Sequence, residues 1–205
     1  MKESYIASDF RETAAQRFPA QTERLNTAFD AKLRALREEN AGASAEKRRH
    51  LESQILPGIA AYETLQTVMP KDDALQTVHG YVERRAWKLK KIFLRLMRLP
   101  GLYKKVPGIF ARQTPKLFGP SAGFAATEHQ TSGGVWRIDM TKCPYHDACV
   151  QYGCTELCPS FCDSDDITYD GLHPKLLWHR TKAGATTAAT SVCGFGTQNK
   201  GRGKP

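Results

Sequence analysis

Five of the six cysteines in this 205-residue chain lie between Lys142 and Asp166, in the segment C-P-Y-H-D-A-C-V-Q-Y-G-C-T-E-L-C-P-S-F-C-D-S-D-D. Packing alone does not call for that density of sulphur, imidazole and carboxylate. A thiolate nucleophile needs a neighbouring base or cation to lower its pKa and a carboxylate to orient that base, and Cys162, His146 and Asp165 supply those three types. A metal centre needs three or four ligands, and Cys143, Cys162 and Cys193, completed by His146 or His173, would supply them for one divalent zinc, iron or manganese ion. Both chemistries use the same residue types, so the sequence leaves the cofactor undetermined. Cys149, Cys154 and Cys158 are read as buried packing thiols. The spacing C-x5-C-x4-C-x3-C-x3-C fits neither the paired C-x2-C of zinc ribbons nor the ferredoxin runs. In the acidic run, Asp163 is a candidate to hold a cationic amidine-like group, with Arg137 and His173 as further substrate contacts and Arg137 or the basic helix beginning at Arg84 suited to a carboxylate.

These residues must be carried by a scaffold, and its outline is legible. Phe18, Leu25, Phe29, Leu33 and Leu36 recur at helical spacing, and Asn40 to Ser44 breaks the pattern. Ser44 caps a second helix running through Leu51, Ile55, Ile59, Tyr62 and Leu65, where Pro57 predicts a kink or a division into two pieces. Pro70 ends it, and a third helix starts at Lys71 and continues toward Leu96. Pro100, Pro107, Pro115 and Pro120 with several glycines read as a linker. A hairpin follows, from Phe124 to Gln130 and from Val135 to Met140 around S-G-G, with Trp136, Ile138 and Met140 on one face and Val135, Arg137 and Asp139 on the other. The cysteine segment interrupts the sheet as one or two short helices, and strands around 175–181 and 186–195 complete it. Cys154, Cys158 and Cys162 would stack on one helical face unless Pro159 starts the helix there. His146, three residues after Cys143, would point the same way as that thiol.

Composition bounds the function class. Hydrophobic residues at 40% and charged at 25% describe an ordinary globular chain, and no apolar run approaches the roughly eighteen residues of a spanning helix. The N-terminus lacks the apolar stretch of a signal peptide, so a cytoplasmic location with reduced thiols is expected, and disulfides are not. The net charge of +9 is local: eleven Lys or Arg and no acid fall between Arg84 and Thr127. That stretch reads as a core-facing helix with a solvated basic back, as an anion-attracting rim over the site, or, over residues 84–105, as a peripheral membrane contact. Its aromatics form a packing stripe and no nucleic-acid motif accompanies them, so nucleic acid is not an expected partner. Homo-oligomerisation is left open.

The stretches I-L-P-G-I-A-A-Y at 55–62, W-R-I-D-M-T-K-C-P-Y at 136–145, E-L-C-P-S-F-C-D-S-D-D at 156–166 and L-H-P-K-L-L-W-H-R-T at 172–181 resemble the L-2-amino-thiazoline-4-carboxylic acid hydrolase family over roughly residues 50–196. The resemblance implies hydrolytic opening of a cyclic isothiourea to an N-carbamoyl cysteine. It matches a cysteine and an aspartate three residues later to Cys162 and Asp165, and a later cysteine to Cys193. After that cysteine the family has Asp-Phe where this chain has Gly194-Phe195, which puts the exact substrate in question. The same order of elements is also similar to ligand-binding domains of the vinyl-reductase type, which hold small molecules without turnover.

The expectation is therefore an α+β unit: a helical region over 1–120, a small antiparallel sheet with the cysteine helices inserted over 121–196, and a flexible tail over 197–205. Its expected activity is hydrolysis of a carbon–nitrogen or carbon–sulphur bond in a small amino-acid-derived heterocycle. The non-catalytic alternative is a small-ligand or metal-binding module. Convergence of Cys162, His146 and Asp165 in one pocket separates the two.

Overall fold

The computed structural model describes residues 3–129, 134–180 and 191–197, the last stretch by its backbone and the Phe195 side chain. Helices α1 (Tyr5–Arg17) and α2 (Thr22–Glu39) fill the first third, divided at Phe18 and Pro19. The periodicity beginning at Phe18 had suggested a single helix there. Ser44 caps α3 (Ala45–His50) by accepting from the Lys47 amide at 3.1 Å. The helical path then widens into a π-helical turn over Leu51–Ile55 before α4 (Leu56–Leu65). Pro57 explains the widening. It has no N–H to offer the preceding turn, and the Leu56 amide reaches back five residues to the Leu51 carbonyl.

Helix α5 (Lys71–Leu96) is the longest, and α6 (Val106–Leu117) follows it. Reading the proline-rich stretch after Pro100 as a linker was wrong. Pro107 sits in the first turn of α6, where its missing N–H is not needed, and Pro115 lies in the last turn. Strands β1 (Ala125–His129) and β2 (Val135–Lys142) come next, then α7 (Pro144–Gln151), α8 (Cys158–Tyr169), β3 (Leu176–Arg180) and β4 (Ser191–Thr197). The four strands form one antiparallel sheet in the order β1-β2-β4-β3, with Ile138 and Arg180 both registering against Cys193. The fold class is α+β. The S-G-G turn lies largely, and the tail beyond Thr197 entirely, outside the described residues.

Two apolar clusters hold the molecule. The larger joins α1, α2, α4 and the first half of α5 to α7 and α8 around Phe10, Phe29, Ile59, Tyr62, Val82 and Phe161. The smaller joins the inner sheet face, Trp136, Ile138, Leu176 and Phe195, to Val106 and, more loosely, to Phe93 and Phe110. The cysteine helices are thus bounded by strands in sequence but pack against the N-terminal helices in space. No helix among the described residues is long and apolar enough to cross a membrane.

Candidate functional site

Strand β2 delivers Cys143 in extended conformation (φ −140°, ψ 122°) to the N-cap position of α7, and Pro144 opens that helix. One turn in, His146 faces the same cavity as Cys143. Burial pushes the Cys143 thiol up to about 11, against a partial downward pull from the backbone amides of His146 and Tyr145.

Gly153, at φ 66°, reverses the chain after α7, a conformation that favours glycine. Helix α8 then begins at Cys158, with Pro159 in its first turn. Cys158 and Cys162 therefore stack one turn apart, while Cys154 precedes the helix and does not share that face. The Cys158 thiol interacts with Cys149 on one side and Cys162 on the other. Because both neighbours stabilise negative charge on Cys158, its pKa is held down, with His146 adding to the effect. The same arrangement, together with burial, pushes Cys162 and Cys149 up. Cys158 is 1% exposed and belongs to the larger core, so it packs as expected, but it also lines the cavity.

A carboxylate pair occupies the next turn of α8. Arg180, from the end of β3, places Nη2 2.9 Å from Asp165 Oδ2 and Nε 3.1 Å from Asp166 Oδ1. Trp178 donates its indole N–H to that same Asp166 oxygen at 2.7 Å. Desolvation pushes the Asp165 carboxyl up, and Arg180 opposes it. The side chain of Arg180 is 7% exposed, so the clamp is a fixed part of the wall.

Across the cavity, His50 is held at both ring nitrogens. Nε2 lies 2.8 Å from the Leu117 carbonyl, which can only accept, so Nε2 carries the proton. Nδ1 is left to accept from the Tyr145 hydroxyl at 3.2 Å. Burial lowers the His50 pKa and favours this neutral tautomer, while burial raises that of Tyr145.

These groups surround a cavity of about 550 Å³, large enough for a small amino-acid-derived heterocycle. Cys143, His146, Cys162 and Asp165 all line it, joined by Cys158, Tyr145, His50 and Arg180. Sequence spacing singled out the first four. His50 and Arg180 lie far from them along the chain, and no local pattern links them to the site. Arg49, Arg85 and Lys116, with Glu46, contribute to the same lining, and the three cations are exposed.

Other candidates lie elsewhere. Asp163 is outside the cavity wall, and burial pushes its carboxyl up. Arg137 is on the outer face of β2, where it binds Asp139 through two contacts of 3.1 Å, and His129 reaches the same carboxylate at 2.8 Å. His173 stacks on Tyr103 at 4.1 Å and accepts from the Lys175 amide. Among the described residues no group of three Cys, His, Asp or Glu side chains is arranged to hold a metal. Cys143 and Cys162 share the cavity, and the Cys193 side chain lies outside the described residues.

Against known families, the family model described as L-2-amino-thiazoline-4-carboxylic acid hydrolase matches residues 48–195. The matched region contains His50, the cysteine segment and Arg180. No curated protein and no solved structure matches the chain.

Proposed function

The chain belongs to the L-2-amino-thiazoline-4-carboxylic acid hydrolase family, and from that premise we propose that it opens a small anionic cyclic amidine or isothiourea by covalent thiol chemistry in this cavity. The observation that carries the reading is the shared wall of Cys158, Cys162, His146 and Asp165. A pocket that only holds an apolar ligand has no need of so many titratable groups.

Cys162 is the proposed nucleophile. Its proton passes to His146 as its sulphur adds to the carbon between nitrogen and sulphur of the ring. The ring carbon–sulphur bond then breaks, and the departing sulphur takes up a proton relayed through His146. Water adds to the carbon now bonded to Cys162, and the Cys162 sulphur leaves to give an N-carbamoyl cysteine. The net reaction consumes one water. Asp165 gives one carboxylate oxygen to Arg180 and keeps the other for the cationic amidine nitrogen. Arg180 is a positioning residue in this scheme. The substrate carboxylate is assigned to Arg85, Arg49 and Lys116, which replace Arg137 in that role because Arg137 is outside the cavity.

Separate Cys162→Ala and Asp165→Asn variants test the assignment with an aminothiazoline carboxylate as substrate. Loss of turnover in Cys162→Ala and a raised KM in Asp165→Asn are expected. Full activity in both variants would remove these residues from the mechanism.

A further inference from the structure

Helix α5 carries a stripe that begins inside the cavity and continues onto the open surface. Arg85 and Leu89 line the cavity. Ile92, Leu96 and Leu99 continue the same stripe at spacings of three, four and three residues, and all three are exposed, at 50%, 42% and 56%. Trp87 and Leu94, seven residues apart, form a second exposed apolar line, and Lys88, Lys91, Arg95 and Arg98 lie between the two. Of the ten exposed large hydrophobic side chains among the described residues, seven fall between 84 and 127. The same interval has eleven cations and no acid.

Neither feature serves the fold. The opposite side of α5, through Ala86, Phe93 and Met97, already packs inward. None of Lys88, Lys91, Arg95 and Arg98 meets an acid within the described residues. Exposed apolar side chains interleaved with unpaired cations fit a surface that is anionic at its face and apolar just beneath it. A second copy of this chain would bring the same cations together, and nucleic acid would leave the leucines in water.

We propose that the second half of α5 and the turn carrying Leu99 form a peripheral docking surface for an anionic lipid bilayer, with the mouth of the cavity at its edge. Lys88, Lys91, Arg95 and Arg98 would meet the headgroups, and Trp87, Ile92, Leu96 and Leu99 would enter the interface. This inference is independent of the reaction assigned to the cavity.

The test is co-sedimentation of the full chain with vesicles of phosphatidylcholine alone and of phosphatidylcholine mixed equally with phosphatidylglycerol, with tryptophan emission followed in parallel. Binding is expected to the anionic vesicles only, with a blue shift that disappears in Trp87→Phe. Lys91→Gln and Arg95→Gln should each weaken it by roughly fivefold. The double variant Ile92→Glu/Leu99→Glu should lose binding while keeping the circular dichroism of the parent. Failure to bind anionic vesicles would overturn the proposal, whether or not the face then proves to drive self-association or capture an acidic protein. So would binding that shows no Trp87 shift and is unchanged by the double variant, because charge alone would then account for it.

Discussion

Cys158 and Cys162 have the same side chain one helical turn apart, and their mutual interaction shifts them in opposite directions. Cys158 is held down by its thiol neighbours, while Cys158 and burial push Cys162 up. Cys162→Ala should reduce kcat by at least about a thousandfold, as expected when a nucleophile is removed. Cys158→Ser should leave the nucleophile in place and change chiefly the pH dependence of turnover. With Cys158 no longer raising the Cys162 thiol, the alkaline rise of the pH–rate profile should move to lower pH; an unshifted profile would assign Cys158 to packing alone. His50 makes a separate prediction, about stability. Its folded pKa is lowered by burial from the ordinary 6.5, so between those two values the unfolded chain binds more protons. Stability conferred by neutral His50 is complete above 6.5 and is lost as pH falls through that value toward the folded pKa. Thermal melts of the parent between pH 7.5 and 5.5 should fall more steeply than those of His50→Gln. At this scale the sequence was informative about residue types: Cys143, His146, Cys162 and Asp165 were legible because they crowd one segment. Cys158 was read only as a packing thiol, because burial and a place in the cavity wall are both true of it. Arg180 and His50 could not be read, since their roles come from tertiary approach.

At the level of elements, the site depends on how α8 is seated. Gly58 on α4 lets Phe161 of α8 approach closely, and a Cβ placed there would fall 2.9 Å from the Phe161 ring. Phe161 is 6% exposed and packs at a tilt against Tyr145, with ring centroids 5.3 Å apart, so it has little room to yield. Gly58→Ala should destabilise by about 1–3 kcal/mol, lowering Tm by a few degrees for each kcal/mol, and should narrow the cavity that Phe161 lines. On the other side Arg180 ties α8 to β3 through two carboxylates. Arg180→Lys keeps the charge but loses the fork, so the expected defect is a raised KM with little change in Tm, read from kinetics and melting together. A large fall in Tm with unchanged kinetics would make Arg180 purely structural. Strands β1 to β3 and α5 lie close to their expected bounds because alternation and helical spacing are strong local signals, whereas the first half of the strand expected over 186–195 lies outside the described residues. Helix α6 was missed because Pro107 and Pro115 punctuate it, although both occupy turns at its ends. Helix α1 was missed because the apolar pattern was followed only from Phe18.

For the whole molecule, the distribution of charge matters more than its total. The positive excess lies on one stretch of α5 and α6 that borders the cavity, so an anionic substrate should be drawn toward the mouth. The KM for an aminothiazoline carboxylate should therefore rise with ionic strength, and Arg85→Gln should raise KM while reducing that salt dependence, with kcat little changed. The direct test of thiol-dependent ring opening is to incubate the purified chain with L-2-amino-thiazoline-4-carboxylate and follow both the mass of the product and the appearance of free thiol. The expected result is a product heavier by one water, with one new thiol per turnover, abolished by Cys162→Ala and by prior alkylation of the cavity thiols. Saturable binding of the compound without ring opening, or undiminished ring opening by Cys162→Ala, would contradict it.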